Sequence, residues 1–211
     1  MEDYQPKRRG RPKDEQRRAR IIESAMELFL EHGMQAVSVE AISAHAVVSN
    51  RTVYSHFASK QDLLWAVIVH AGEVNQPMVT GGEATTLPEF KRQLVRFGTS
   101  LVNLITTPTI VKLGNLMVSE AARHPELAKQ FYDWGPRRGQ EAIVDLLESA
   151  KKRKLIASDA TPAMAHHLLA MFQGTWHSEQ QLGLTPPLTK RQVRKHVVDC
   201  VDFFLKAVIR H

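Results

Sequence analysis

The chain of 211 residues holds one cysteine, Cys200, so no disulfide can form within it, which suits a reducing compartment. No apolar run approaches the roughly 18 residues that a membrane-crossing helix requires. The N-terminus is charged and lacks the apolar core of a signal peptide. Together these absences point to a soluble cytoplasmic protein with no membrane partner. Also missing are an internal repeat and any alternation of apolar and polar residues long enough to make a strand. There is no His-Glu-x-x-His, paired-cysteine or glycine-rich phosphate motif, so neither a metal nor a cofactor is expected. His166 and His167 are adjacent and point to different helix faces, so they cannot share a metal. No nucleophile, base and orienting group can be assembled around them or His177, which argues against an enzyme.

What the chain does have is helical periodicity, 43% hydrophobic residues and a formal net charge of +6. The charge is local. Residues 5 to 20 carry eight Lys or Arg against Asp14 and Glu15, which equals the surplus of the whole chain. This basic arm adjoins a first helix in which Ile21, Ile22, Ala25, Met26, Phe29 and Leu30 make a broad apolar stripe, closed by Gly33. A further helix opens at Ser59, with Asp62 three residues on as a capping box. The pattern collapses from Glu73 to Pro88 into glycines, prolines and threonines, the signature of a linker.

Beyond it, Phe90 to Thr106 resumes a helical stripe, Pro108 interrupts, and a short segment follows to Ala122. Pro125 opens a helix that Gly135-Pro136 should bend or break. Thr161-Pro162 is a cap followed by proline at the first helical position. Thr189 with Gln192 is another capping box, and Val193, Val197, Cys200, Val201, Phe204, Leu205 and Val208 form a stripe over four turns. The expected fold is all-α with about nine helices.

The informative stretch is Ser38 to Lys60, SVEAISAHAVVSNRTVYSHFASK. It reads as two short helices joined by a tight turn and followed by the start of a third, with Ser38, Ser49 and Ser59 at the helix entrances, where a hydroxyl accepts from an orphan amide. Ile42, Ala46, Val48, Val53 and Phe57 face inward. Asn50, Arg51, Thr52, Tyr54, Ser55 and His56 face outward, with no carboxylate among them, and such a face fits a DNA major groove. Arg51 can pair bidentately with guanine O6 and N7, and Asn50 with adenine. Thr52, Tyr54 and His56 suit positioning on the backbone. Lys60, in the first turn after its cap, suits a phosphate. The Arg-Gly-Arg-Pro core of Lys7 to Lys13 resembles an AT-hook, whose arginines enter a narrow minor groove. The candidate DNA-contacting set is therefore Arg8, Arg9, Arg11, Ser38, Ser49, Asn50, Arg51, Thr52, Tyr54, His56 and Lys60. The Lys151 to Lys154 cluster ends a helix and reads as a solvated terminus.

Ala46-Val47-Val48-Ser49, Thr52-Val53-Tyr54-Ser55-His56-Phe57 and Ser59-Lys60 resemble, in order and spacing, the helix-turn-helix signature of the TetR family of transcriptional regulators. Ile21 to Gly33 looks like that family's first helix. His124-Pro125-Glu126-Leu127 and Phe131 to Pro136 look like the effector domain of its AefR-like branch. The resemblance implies phosphate contacts by Thr52 and Tyr54, a ligand cavity among the central helices, and dimerisation of the last two helices in a four-helix interface. One position departs from the pattern: Val47 stands where the family has glycine, so a turn needing positive φ would be strained there.

Phe97, Leu101, Leu104, Met117, Phe131, Trp134, Met171, Phe172 and Trp176 exceed what one stripe per helix needs and are the candidate ligand pocket. Methionine and aromatic side chains suit an apolar small molecule. The organisation read from the sequence is a flexible basic arm (1–16), a helix-turn-helix DNA-binding domain (17–72) and a helical effector-binding and dimerisation domain (73–211). The function read from it is that of a homodimeric repressor released from a palindromic DNA operator by a small hydrophobic effector. Its rival is an effector-independent activator or an architectural protein of A·T-rich DNA.

Overall fold

The computed structural model describes residues 11–75, 83–157 and 162–208. Arg8 and Arg9, the centre of the Glu73–Pro88 linker, and Thr161 lie outside them. All ten regular elements among the described residues are helices, as the periodicity predicts: α1 (Arg11–Ala36), α2 (Val39–His45), α3 (Asn50–His56), α4 (Lys60–Asn75), α5 (Leu87–Ile105), α6 (Pro108–Glu120), α7 (Pro125–Trp134), α8 (Pro136–Lys152), α9 (Pro162–Gln181) and α10 (Lys190–Val208). The chain divides into two compact units after His70, within α4. None of the single helices described is long and apolar enough to cross a membrane.

In the first unit, the stripe of α1 is buried as its spacing requires: Ile21, Ile22, Ala25 and Phe29 are at most 3% exposed. Gly33 takes φ 79° and ψ 160° and breaks the helical path, which turns Met34 and Val37 into the same core. Ile42, Ala46, Val53, Phe57, Leu63 and Leu64 complete it.

The α2 end is closed in a Schellman arrangement, with Val48 N–H donating to Ser43 O at 3.0 Å and Val47 N–H to Ala44 O at 3.2 Å. That geometry demands the left-handed region at Val47, and Val47 does adopt φ 53°. A β-branched residue held there costs about 1–3 kcal/mol. Its side chain is 79% exposed, so no packing offsets the strain.

The second unit is built around α5, which lies against α9 and α10. Gly98 leaves room for their side chains: a Cβ there would fall 2.7 Å from Phe172 Cζ and from Val197 Cγ1. Phe90, Leu94, Phe97 and Val102 of α5 share one core with Ile143 and Leu147 of α8, Leu168 and Phe172 of α9, and the stripe of α10. Thr86 and Glu89 form a capping box that starts α5 three residues earlier than its apolar stripe suggests. The α5 and α6 axes turn through 68° around Pro108. Gly135 breaks the chain between α7 and α8, where glycine and proline together forbid a continuous helix. Thr189 and Gln192 cap α10 reciprocally, at 2.9 and 3.3 Å.

Two substitutions test this packing. Val47→Gly should stabilise the protein by about 1 kcal/mol, read as a higher denaturation midpoint, because relief of left-handed strain exceeds glycine's extra unfolded-state entropy. Gly98→Val should destabilise by about 1–3 kcal/mol or more, as overpacking forces α5 away from α9 and α10.

Candidate nucleic-acid interface

Three caps place the reading helix. Ser38 Oγ accepts from Ala41 N–H at 3.1 Å and starts α2; Ser49 Oγ accepts from Thr52 N–H at 3.1 Å and starts α3. Ser59 Oγ accepts from Asp62 N–H at 3.0 Å and donates to the Asp62 carboxylate at 2.8 Å. With both hydroxyls spent on caps, Ser38 and Ser49 position the helices.

Along α3, Val53 is buried while Arg51, Tyr54 and Ser55 are exposed at i, i+3 and i+4, one continuous face. The Arg51 side chain has no hydrogen bond or ion pair among the described residues, and Tyr54 is 55% exposed. Thr52 is half-buried, its Oγ1 2.9 Å from Ser49 Oγ.

Three candidates have inward attachments that the sequence did not announce. The Asn50 side chain is turned toward α2: Ser43 Oγ donates to its Oδ1, and its Nδ2 reaches Glu40 Oε1 at 3.5 Å. Its amide thus anchors the N-terminal end of α3, although the residue as a whole is exposed. His56 stands at the other end. Its side chain is only 11% exposed, and Nε2 lies 3.2 Å from Asp14 Oδ1 of α1 without hydrogen-bond geometry. Beside it, the Arg18 guanidinium sits 5.3 Å over the Phe57 ring. Lys60 Nζ donates to Val37 O at 2.9 Å and so ties the start of α4 to the loop before α2, with Asp62 already facing that helix N-terminus. Arg11 begins α1, so the helix takes in residues 11–16 of the basic arm.

Ser43, Glu40, Asp14 and the Val37 carbonyl were therefore missed as parts of the site. Helical spacing assigns a face to each residue but not the cross-helix partner of a polar group, so only the three-dimensional fold reveals them.

The candidate pocket residues separate into two groups in the second unit. Phe97 and Phe172 are buried in its core, with Leu101, Met171 and Trp176 packed against that cluster. Leu104 at the end of α5, Met117 of α6, and Phe131 and Trp134 of α7 lie outside it. Trp134 rests on bare backbone: a Cβ at Gly72 would fall 1.8 Å from its ring.

Near the end of α9, Trp176 Nε1, His177 Nδ1 and Gln180 Oε1 are buried with no hydrogen-bond partner among the described residues. Each such atom costs about 1–3 kcal/mol. Cys200 is buried, and burial, aided by Asp199, pushes its thiol pKa up, so it stays a protonated core group. Among the described residues, no three His, Cys, Asp or Glu stand together as a metal site.

The apolar stripe of α10 lies inside the protomer, with all seven of its residues buried. What α10 leaves outward is Phe203, 67% exposed, among charged residues.

Comparison with known proteins accounts for both units. Residues 21–67 match the family model described as bacterial regulatory proteins, tetR family, and residues 92–207 match the C-terminal domain of AefR-like transcriptional repressors. The HTH-type transcriptional regulator UidR of Escherichia coli (strain K12) is 26% identical over 159 residues, covering 72% of this chain and 75% of UidR. The solved structure of the Flavonoid-responsive Regulator FrrA is 27% identical with a TM-score of 0.77, covering 93% of this chain and 99% of FrrA. A TetR transcriptional regulator from Agrobacterium tumefaciens shares the fold with a TM-score of 0.75 at 18% identity, over 91% of this chain and 94% of that one. A capped two-helix reader joined to an AefR-type helical unit identifies the chain: it belongs to the TetR family of DNA-binding transcriptional regulators.

Proposed function

We propose that the protein is a homodimeric repressor, released from a palindromic operator by a small, largely apolar ligand. The observation that carries the DNA half is the α3 face of Arg51, Tyr54 and Ser55, outward, free of carboxylates and anchored at its start by Asn50. In this reading Arg51 contacts bases, Thr52 and Tyr54 contact phosphates, and Arg8, Arg9 and Arg11 enter the adjoining minor groove. One short helix reads only a few base pairs, so a two-fold pair on successive groove faces, roughly 34–36 Å apart, is needed for useful specificity.

Pairing of the last two helices has a surface to use. On α9, Ala163, His166, His167, Ala170 and Gln173 are all exposed at helical spacing, and their small members permit close approach of a second copy. Phe203 of α10 would add an apolar anchor. FrrA is named as flavonoid-responsive, which supports a flat, hydroxylated aromatic molecule as the ligand class here. The ligand weakens DNA binding by its differential affinity for a conformer whose two heads no longer match the half-site spacing. α4 is the covalent route for that change, since it runs through the division between the units.

Two measurements test the DNA half. Arg51→Ala should weaken operator binding by about 1–3 kcal/mol, roughly 5- to 150-fold, and relax preference at one base position per half-site. An unchanged affinity and site preference would remove Arg51 from the interface. Deleting residues 1–13 should weaken binding and flatten the slope of log affinity against log salt by about 0.9 for each phosphate that the arm neutralises; an unaltered slope would make the arm a bystander.

A further inference from the structure

The stretch from Trp176 to Thr185 concentrates four buried polar atoms without partners among the described residues: Trp176 Nε1, His177 Nδ1, Gln180 Oε1 and Thr185 Oγ1. It is bounded by two glycines in the left-handed region, Gly174 at φ 58° and Gly183 at φ 71°. Gly174 interrupts the helical path of α9, and a Cβ there would fall 2.6 Å from Trp176 Nε1. Gly183 closes the helix in a Schellman turn, its N–H donating to Gln180 O at 3.0 Å while Leu184 N–H donates to Glu179 O at 2.8 Å. Residues 175–181 are thus a short helical piece set between two points where the backbone has glycine's freedom to turn.

The four atoms belong to neighbouring groups. Trp176 and Gln180 lie one turn apart on the same face. Gln180 Nε2 donates at 3.1 Å to the carbonyl of Pro186, the residue that follows Thr185. The Trp176 and His177 ring centres are 6.0 Å apart. His196 of α10 stands edge-on to the indole at 5.9 Å, but its Nε2 already meets Phe172 O at 3.0 Å.

The chemistry is that of an uncharged, hydrogen-bonding partner. The group comprises an indole donor, an amide acceptor, a hydroxyl that can do either, and an imidazole nitrogen. Burial lowers the His177 pKa and so favours the neutral ring. No Asp, Glu, Lys or Arg is among the four, so the group itself offers an ionised ligand no counter-charge. A wholly apolar ligand would leave all four unpaired.

We propose that this stretch is the polar end of the effector site, hinging at Gly174 and Gly183 to admit a neutral small molecule that presents hydroxyl and carbonyl groups. The inference rests on the ligand-responsive reading above and gives that reading a physical source. The conformer seen here leaves four groups unpaired, and a molecule that pairs them on opening would favour the opened conformer over this one, which is the differential affinity a population shift requires.

Matched probes test it: a flavone with free hydroxyl groups, and the same flavone with every hydroxyl O-methylated, which keeps the ring system and removes the donors. Each is titrated into the full chain while the Trp176 indole N–H resonance, identified by its loss in Trp176→Phe, is followed by NMR. The hydroxylated probe should shift that resonance and bind at least tenfold more tightly than the methylated one. Gln180→Leu combined with Thr185→Val should weaken the hydroxylated probe at least fivefold and leave the methylated one unchanged. Should the double variant misfold, the comparison of the two probes on the wild-type chain decides alone. Equal affinities, indifference of a folded double variant, or no binding by either probe would overturn the proposal. Operator release separates this inference from the wider reading. A flavone that frees DNA equally from wild type and double variant removes the polar site and spares the repressor. Probes that bind as expected yet leave the operator occupied do the reverse.

Discussion

The orientation of α3 depends on a short polar joint with α2. Ser43 donates to Asn50 Oδ1 across the turn, and the turn closes only because Val47 accepts a left-handed backbone. A Schellman end places its C′ residue at positive φ whatever the side chain. Valine bears that geometry with its isopropyl group in solvent and therefore gains nothing from packing in return. The first unit tolerates this local strain because the core of Ile21, Phe29, Ile42, Val53 and Leu64 over-determines the path of the chain on either side.

At its far end α3 meets α1 where His56 Nε2 comes within 3.2 Å of Asp14 Oδ1, and α1 takes in the end of the arginine-rich arm. The face left outward is small: Arg51, Tyr54 and Ser55, with Asn50 exposed but engaged. Such a face is useful only if its angle is reproducible. The joint at Asn50, the contact at His56 and the Lys60 bond to the Val37 carbonyl together explain how seven residues hold one orientation.

Local signals made much of the fold legible. Serine and threonine caps mark the starts of α2, α3, α4 and α10, and Gly135-Pro136 marks the break between α7 and α8, because each acts within four residues. The Thr86 cap of α5, by contrast, falls inside the stretch that reads as a linker. Val47 was legible too, once its turn required positive φ. Partnerships across helices were not. Asn50, His56 and Lys60 have polar side chains at surface positions in the sequence, and nothing local says that Ser43, Asp14 and Val37 O stand opposite them. The stripe of α10 was legible as a buried surface, but its partner was not: its residues are buried in the core that α10 shares with α5 and α9 of the same protomer. The unsatisfied polar atoms near Gly174 were beyond sequence reasoning altogether, since burial of one nitrogen of one ring depends on packing.

Selection of bound duplexes from a random library tests the central claim most directly, that an outward α3 face in each of two copies reads DNA. The account predicts enrichment of a two-fold related motif whose half-sites recur about one helical turn apart. Enrichment for A·T content alone, or recovery of no preferred sequence, would contradict it.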